Sequence, residues 1–184
     1  MKSIMIVGVG GQGTLLASRI IGNLMLSLGY DVKMSEVHGM AQRGGSVVTH
    51  VRYGEKVFSP LIENNSADYI LAFEKLEALR NAHYLSENGK MIINAQEILP
   101  MPVVIGATTY PEKTLEGEKY EYIDALNIAK ELGNVKCVNV IMIGYLAKLM
   151  ADIPKEKWIE TIKATVKPKF VELNIKAFEA GYNL

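Results

Sequence analysis

Cysteine is almost absent from the sequence, because Cys137 is the only one among 184 residues. A single cysteine excludes an internal disulfide, a Cys-x-x-Cys redox pair and an iron–sulfur cluster held by this chain alone. The three histidines show no metal-ligand spacing, which argues against a zinc site. This scarcity of cysteine is typical of a reducing compartment, so a cytoplasmic protein is predicted.

The sequence also lacks a net charge and long apolar runs. Twenty basic and twenty acidic residues give a formal charge of zero, so neither nucleic acid nor an anionic membrane is expected as a partner. No apolar run approaches the ~20 residues of a membrane span, and the first residues show no basic leader or signal-peptide cleavage site. A length of 184 residues suits one domain, so we expect a single domain over residues 1–184.

Glycine, in contrast, is concentrated at 8–13, where an apolar strand pattern gives way to helical spacing. Three of these glycines fit G-x-G-x-x-G, a pattern that allows a tight turn and a close approach of the backbone to a ligand. The N–H groups that begin the following helix favour an anion such as a phosphate. A tight corner without a ligand is the alternative, although a fourth glycine exceeds what a corner requires. The candidate binding residues are Gly8, Gly10, Gly11, Gln12, Gly13 and Thr14.

A second polar loop with glycines is predicted at 38–46, after a helix at 14–28 and a strand that completes a β-α-β unit at 30–37. Arg43 is its strongest candidate, because a guanidinium between two flexible segments can bind a phosphate or carboxylate through paired hydrogen bonds. Gln42 could donate an amide hydrogen bond to the same ligand. His38 is interpreted as a hydrogen-bonding residue of the loop, with proton transfer as the alternative. The candidate binding residues of this loop are His38, Gln42, Arg43, Gly44 and Gly45.

Glu36 leaves a different interpretation open. It lies close to the ~20-residue offset at which a dinucleotide-binding fold places its ribose-binding acid. In that interpretation Gly8, Gly10, Gly13 and Glu36 hold the adenosine diphosphate moiety in a free-standing oxidoreductase. A plain nicotinamide-binding fold, however, gives no reason for the glycine loop at 38–46. A third interpretation is an assembly protein whose two loops only form an interface.

Apolar periodicity after residue 46 predicts strands and helices, and then helices alone. Strands are predicted at 46–53, 68–73, 90–94 and 103–107, with a short hairpin partner at 57–58. Helices are predicted at 74–85, 122–132, 138–150 and on both sides of Pro168, with an exposed loop at 110–122. The helix at 138–150 is apolar nearly all round, so either this domain or a partner buries it. The pattern predicts an α/β, three-layer Rossmann-like domain with a mixed, largely parallel sheet and a helical C-terminal third.

Two segments together resemble the γ-type subunit or domain of the 2-oxoacid:ferredoxin oxidoreductases. They are GVGGQGT at 8–14 and EVHGMAQRGGSVVTHVRYG at 36–54, and the likeness continues at 139–150 and 174–181. The resemblance implies one component of an enzyme that oxidatively decarboxylates an aryl 2-oxoacid, such as indolepyruvate, to an acyl-coenzyme A. Electrons would then pass to ferredoxin.

The resemblance also implies that the cofactors lie elsewhere. The chain has no Gly-Asp-Gly followed by Asn-Asn, the pattern associated with thiamine diphosphate, and one cysteine cannot hold a cluster. Thiamine diphosphate, Mg²⁺ and [4Fe–4S] clusters are therefore expected on a larger partner subunit, in a heterodimer or heterotetramer. No catalytic residue is assigned to this chain. Its two loops are expected to contact coenzyme A, the partner's thiamine diphosphate or only protein.

Overall fold

One mixed sheet forms the centre of the protein in the computed structural model, which describes residues 1–39 and 44–184. In chain order its strands are β1 (Lys2–Val9), β2 (Asp31–His38), β3 (Ser46–Gly54), β4 (Ala67–Ala72), β5 (Leu85–Asn94) and β6 (Tyr120–Ile123). They lie side by side in the order β2-β3-β1-β4-β5-β6. β1, β4, β5 and β6 are parallel neighbours, whereas β3 is antiparallel to both β1 and β2. The predicted mixed, largely parallel sheet is confirmed.

The helices of the described residues cover both faces of this sheet. They are α1 (Thr14–Ser27), α2 (Lys75–Asn81), α3 (Met101–Val104), α4 (Ala125–Glu131), α5 (Val138–Leu149), α6 (Lys155–Thr165) and α7 (Val171–Tyr182). None of these helices is long and apolar enough to cross a membrane. The predicted helical C-terminal third is confirmed, since α4 to α7 follow the last strand.

The side chains of β1 point alternately to the two faces of the sheet, and the core forms one layer on each face. Ile4 and Ile6 join the larger apolar cluster, which also contains residues of α1 and α4 to α7. Met5 and Val7 point to the other face and join a smaller cluster that includes Ala78 of α2. Successive side chains of a strand point to opposite faces, so a strand that is apolar on both faces lies in the middle of three layers.

β2 is not the neighbour of β1, although the β-α-β pattern suggested that it could be. β3 lies between them and pairs along its length with both, so β2 is an edge strand. The side chains explain the order, because β3 is mostly buried while β2 is largely exposed. The hairpin partner predicted at 57–58 is wrong, since both edges of β3 are already paired and Phe58 is exposed.

Other predicted boundaries shift for local reasons. The strand predicted at 103–107 is wrong, because α3 lies there with proline in its first turn, where a missing N–H costs nothing. The loop predicted at 110–122 ends in β6. The helix predicted at 122–132 begins later, because the carboxylate of Asp124 accepts a hydrogen bond from the N–H of Asn127 and caps α4.

The apolar helix predicted at 138–150 is α5, and this domain buries it. Gly144 of α5 and Gly181 of α7 lie where the two helices cross, with the backbone of one helix against the other. Trp158 of α6 stacks on Phe178 of α7 beside this crossing, with ring centroids 6.3 Å apart. The all-apolar pattern of α5 therefore reflects the core and does not indicate a partner surface.

Candidate ligand-binding site at the carboxyl end of the sheet

The first glycine cluster forms the turn between β1 and α1. Gly11 and Gly13 have φ values of +104° and +83°, a region in which residues with a Cβ are strained. Gly13 caps α1, and its carbonyl oxygen accepts hydrogen bonds from the N–H groups of Leu16 and Ala17, both 3.1 Å away. Within the described residues, the N–H groups of Thr14 and Leu15 donate to no protein acceptor. They are thus available to an anion in front of the turn.

Gln12 points inward and braces this turn. Its Oε1 accepts from the N–H of Val9 at 2.7 Å, and its Nε2 donates to the carbonyl oxygen of Phe73 at 2.9 Å. The same Nε2 lies 3.4 Å from Oε1 of Gln96, just beyond the end of β5. Gly8 leaves room for this side chain, because a Cβ there would lie 2.9 Å from Oε1 of Gln12. Gln12 thus fixes the loop to β4 and β5, and its role in ligand binding stays a prediction.

Asn139, which the sequence patterns did not single out, holds the other side of the turn. It lies in the first turn of α5, is buried, and donates from Nδ2 to the carbonyl oxygen of Gly13 at 3.1 Å. A Cβ on Gly13 would overlap this amide nitrogen. In the sequence, the only sign of this role was a polar residue at the start of a mostly apolar helix. Position 13 therefore needs glycine for two reasons. A side chain would collide with Asn139, and the backbone has a positive φ.

The second glycine loop is joined to the first by backbone hydrogen bonds. The N–H of Gly10 donates to the carbonyl oxygen of Gly45 at 2.8 Å, and the N–H of Gly44 donates back to Gly10 at 3.3 Å. These bonds extend the pairing of β1 with β3 beyond Val9. The structure therefore brings the two predicted loops together. Gln42 and Arg43 lie outside the described residues.

A buried carboxylate anchors the point where the second loop enters β3. Glu77 of α2 is 2% exposed and accepts from Oγ of Ser46 at 2.5 Å through one oxygen. Its other oxygen accepts from Nη1 of Arg80 at 2.6 Å, so the buried charge is paired. The sequence did not single out Glu77, because one glutamate in a helix looks like any solvated residue. Glu77 positions the loop by fixing Ser46, the residue after Gly45.

Two cavities flank the first glycine loop. One, of about 460 Å³, lies between the first glycine loop, the end of β2 and the start of β3, and the other, of about 430 Å³, lies toward α4 and α5. The first is lined by Gly10, Gly11, Gly13, Thr14, Leu15, Glu36, His38 and Val47. The second is lined by Gly11, Gln12, Gly13, Leu16, Gln96, Leu126, Val135, Lys136, Val138 and Asn139. Both are large enough for part of a phosphate-bearing ligand.

Glu36 and His38 lie on the exposed end of β2. The carboxylate of Glu36 accepts from Oγ1 of Thr49 at 3.3 Å, and Nδ1 of His38 lies 3.0 Å from the carbonyl oxygen of Gly39. In a dinucleotide-binding fold the strand that carries the ribose-binding acid pairs directly with the first strand. Here β3 separates them, which weakens the nicotinamide interpretation.

Cys137 is buried just before α5, and burial raises the pKa of its thiol. A thiol that ionises less readily is a poor nucleophile, so Cys137 belongs to the core. Among the described residues, no group of three or more His, Cys, Asp or Glu side chains could hold a metal ion. What the site offers is backbone N–H groups, glycine-lined space and a few polar side chains.

Comparison with known proteins agrees with this architecture. The family model of pyruvate ferredoxin/flavodoxin oxidoreductase matches residues 3–184. Indolepyruvate oxidoreductase subunit IorB of Thermococcus kodakarensis is 42% identical over 188 residues, covering 97% of this chain and 93% of that protein. The corresponding subunit of Archaeoglobus fulgidus is 41% identical and covers 98% of this chain and 94% of its own length.

A solved structure shows the same fold at lower identity. The γ subunit of keto/oxoacid ferredoxin oxidoreductase from Geobacter sulfurreducens superposes with a TM-score of 0.75 at 23% identity, covering 100% of this chain and 97% of that chain. The match to the family model extends over nearly the whole chain and includes both glycine loops. The chain therefore belongs to the pyruvate ferredoxin/flavodoxin oxidoreductase family.

Proposed function

We propose that this chain is the small subunit of a 2-oxoacid:ferredoxin oxidoreductase complex that acts on an aryl 2-oxoacid of the indolepyruvate type. The observation that carries the proposal is the 42% identity to an indolepyruvate oxidoreductase subunit over 97% of the chain. The pyruvate synthase subunit PorC of Methanocaldococcus jannaschii, in contrast, is 27% identical. The reaction is the oxidative decarboxylation of the 2-oxoacid to an acyl-coenzyme A, with electrons passed to ferredoxin.

The residues that the structure describes do not fit a metal or cluster site. The single cysteine of the chain cannot supply the ligands of an iron–sulfur cluster, and the described carboxylates and histidines form no metal-binding group. We assign thiamine diphosphate, Mg²⁺ and [4Fe–4S] clusters to the larger subunit, which supplies the decarboxylation and electron-transfer chemistry.

The glycine loops fit a phosphate-bearing group better than a metal. The N–H groups of Thr14 and Leu15 are available at the start of α1, and the cavity of about 460 Å³ lies in front of them. We propose that this cavity receives the diphosphate of coenzyme A or that of the partner's thiamine cofactor. The chain would then bind and orient that group and exclude water from it.

A free-standing nucleotide-dependent oxidoreductase is the second candidate. Its supporting observation is that Glu36 lines the same cavity as Gly10 and Gly13. Titration of the isolated chain with NAD, NADP and coenzyme A separates the two proposals. Tight nicotinamide binding without a partner would favour the second candidate.

The chain alone should not oxidise any 2-oxoacid, because its single cysteine cannot hold an iron–sulfur cluster and its described residues form no metal-binding group. The measurement is dye reduction with indolepyruvate, phenylpyruvate or pyruvate, in the presence of thiamine diphosphate, Mg²⁺ and coenzyme A. Turnover should appear only when the larger subunit is added, with the aryl substrates preferred. Turnover by the chain alone would refute the subunit assignment.

Replacing Arg43 by alanine should weaken the binding of coenzyme A to the assembled complex by about 2 kcal/mol, the usual scale for a hydrogen bond to a charged group. Arg43→Lys should restore only part of this loss, because an ammonium lacks the paired donors of a guanidinium. Arg19→Ala is the matched control, since Arg19 is an exposed arginine of α1. Calorimetric titration with coenzyme A measures all three variants, and equal affinities for Arg43→Ala and Arg19→Ala would show that Arg43 does not bind coenzyme A.

A further inference from the structure

An uncharged segment follows β5, and we name residues 98–110 the arm. It contains no Asp, Glu, Lys or Arg, and α3 forms its middle. Four of its large apolar side chains are more than half exposed, namely Leu99 at 51%, Met101 at 68%, Val104 at 61% and Ile105 at 70%. An exposed apolar patch of this kind on a folded protein indicates a surface that a partner covers.

One buried carboxylate holds both ends of the arm. Glu74 is 1% exposed, and its Oε1 accepts from the N–H of Ile98 at 3.1 Å and from the hydroxyl of Tyr110 at 2.5 Å. Its Oε2 caps α2 by accepting from the N–H of Glu77 at 2.9 Å. Burial and this carboxylate raise the pKa of Tyr110, so its hydroxyl remains a donor at neutral pH. Both ends of the arm are therefore fixed to the domain. Less conformational entropy is then lost when a partner binds its apolar side chains.

The arm also adjoins the candidate ligand-binding site. β1, β4 and β5 run parallel, so the glycine loop after β1 and the arm after β5 leave the sheet at the same end. Gln96, two residues before the arm, contacts Gln12 and lines the cavity beside Gly11 and Gly13. A partner that covers the glycine loop from this end therefore also reaches the arm.

We propose that the arm is a docking surface for the larger subunit of the oxidoreductase complex, and this inference rests on the proposed function. An uncharged surface requires an apolar partner, because burying an unpaired charge against it is costly. A second copy of this chain would cover the arm but would bring no cofactor to the adjoining glycine loop, since a single cysteine cannot hold a cluster. The larger subunit covers the arm and brings its cofactors to the same end of the sheet.

The test is the affinity between the full-length chain and the larger subunit, measured by calorimetry or analytical ultracentrifugation. Val104→Asp combined with Ile105→Asp should weaken this affinity roughly tenfold or more, because apolar anchors at the centre of an interface carry most of its binding energy. Phe58→Asp is the matched control and should leave the affinity unchanged. Phe58 is 85% exposed and follows β3, which ends at the opposite end of the sheet from the glycine loop.

The outcomes separate this inference from the proposed function. If the unmodified chain binds the larger subunit and the double variant binds equally well, the arm is not the docking surface while the subunit assignment stands. If the unmodified chain forms no complex, both proposals fail. Self-association of the chain that the double variant abolishes would assign the arm to a second copy and overturn the inference.

A second measurement does not depend on how well the double variant folds. A photoreactive phenylalanine analogue in place of Met101 should cross-link to the larger subunit in the assembled complex. The same analogue in place of Phe58 should not. Cross-linking from both positions, or from neither, would contradict the arm as the docking surface.

Discussion

Replacing Gly181 by alanine should lower the free energy of unfolding by about 3 kcal/mol or more. A Cβ at this position would overlap the carbonyl oxygen of Ile141 and lie 2.8 Å from its carbonyl carbon. Because these are backbone atoms of α5, no side-chain rotation relieves the overlap, and the two helices must move apart. This movement also disturbs Asn139, two residues before Ile141, which fixes the glycine loop. Chemical denaturation measures the loss of stability.

Gly22→Ala is the matched control for this prediction. Gly22 also lies inside a helix, α1, but a Cβ there would meet only the side-chain sulfur and methyl of Met34, at 2.8 and 3.1 Å. Met34 is partly exposed and flexible, so it can give way. Alanine in a helix gains up to about 1 kcal/mol over glycine, so stability should change little or rise. If Gly181→Ala is no less stable than Gly22→Ala, glycine is not required for the close contact between α5 and α7.

Replacing Gly13 by alanine should lower the free energy of unfolding by about 3 kcal/mol and reduce turnover by the assembled complex at least about tenfold. At φ +83° an L-residue costs roughly 1–2 kcal/mol. Its Cβ would also overlap the amide nitrogen of Asn139, which is buried and bonded to the carbonyl oxygen of Gly13. Displacing this amide leaves buried polar groups unpaired, which adds about 1–3 kcal/mol, and moves the start of α1.

Gly133→Ala is the matched control that separates the backbone strain from the contact with Asn139. Gly133 follows α4 with φ +81°, nearly the same backbone conformation, but a Cβ there would meet no atom within 4 Å. This variant should therefore lose only the roughly 1–2 kcal/mol of backbone strain and retain full activity in the complex. Equal losses of stability and activity in the two variants would show that the contact with Asn139 is unimportant. Denaturation and the dye-reduction assay measure both effects.

Local patterns identified most of the elements. The apolar run before Gly8 and the helical spacing after Thr14 predicted β1, the turn and α1, because alternation and helical periodicity are properties of neighbouring residues. The same argument located α5. It failed at 103–107, because a short apolar run with proline is compatible with a strand or a helix until its neighbours are known.

The arrangement of the strands could not be predicted in the same way. Periodicity predicts that β2 and β3 exist, but their order depends on which strand buries more apolar surface against distant helices. Placing β3 beside β1 joins Gly10 to the second glycine loop, at Gly44 and Gly45, and separates Glu36 from β1. Whether the strand that carries Glu36 pairs with β1, as the nicotinamide interpretation requires, was therefore a question of tertiary structure.

By itself, the sequence determined the glycine turn and the α/β pattern, because each follows from residue type or local spacing, and its single cysteine is too few to hold an iron–sulfur cluster. Only the tertiary structure showed that Gln12 and Asn139 brace the turn, that Glu77 fixes the second loop and that Glu74 ties down both ends of the arm. It also decided that this domain, and not a partner, buries α5, and it showed that the arm is exposed. The reason is that burial and hydrogen bonding depend on residues far apart in the chain, which no local pattern specifies.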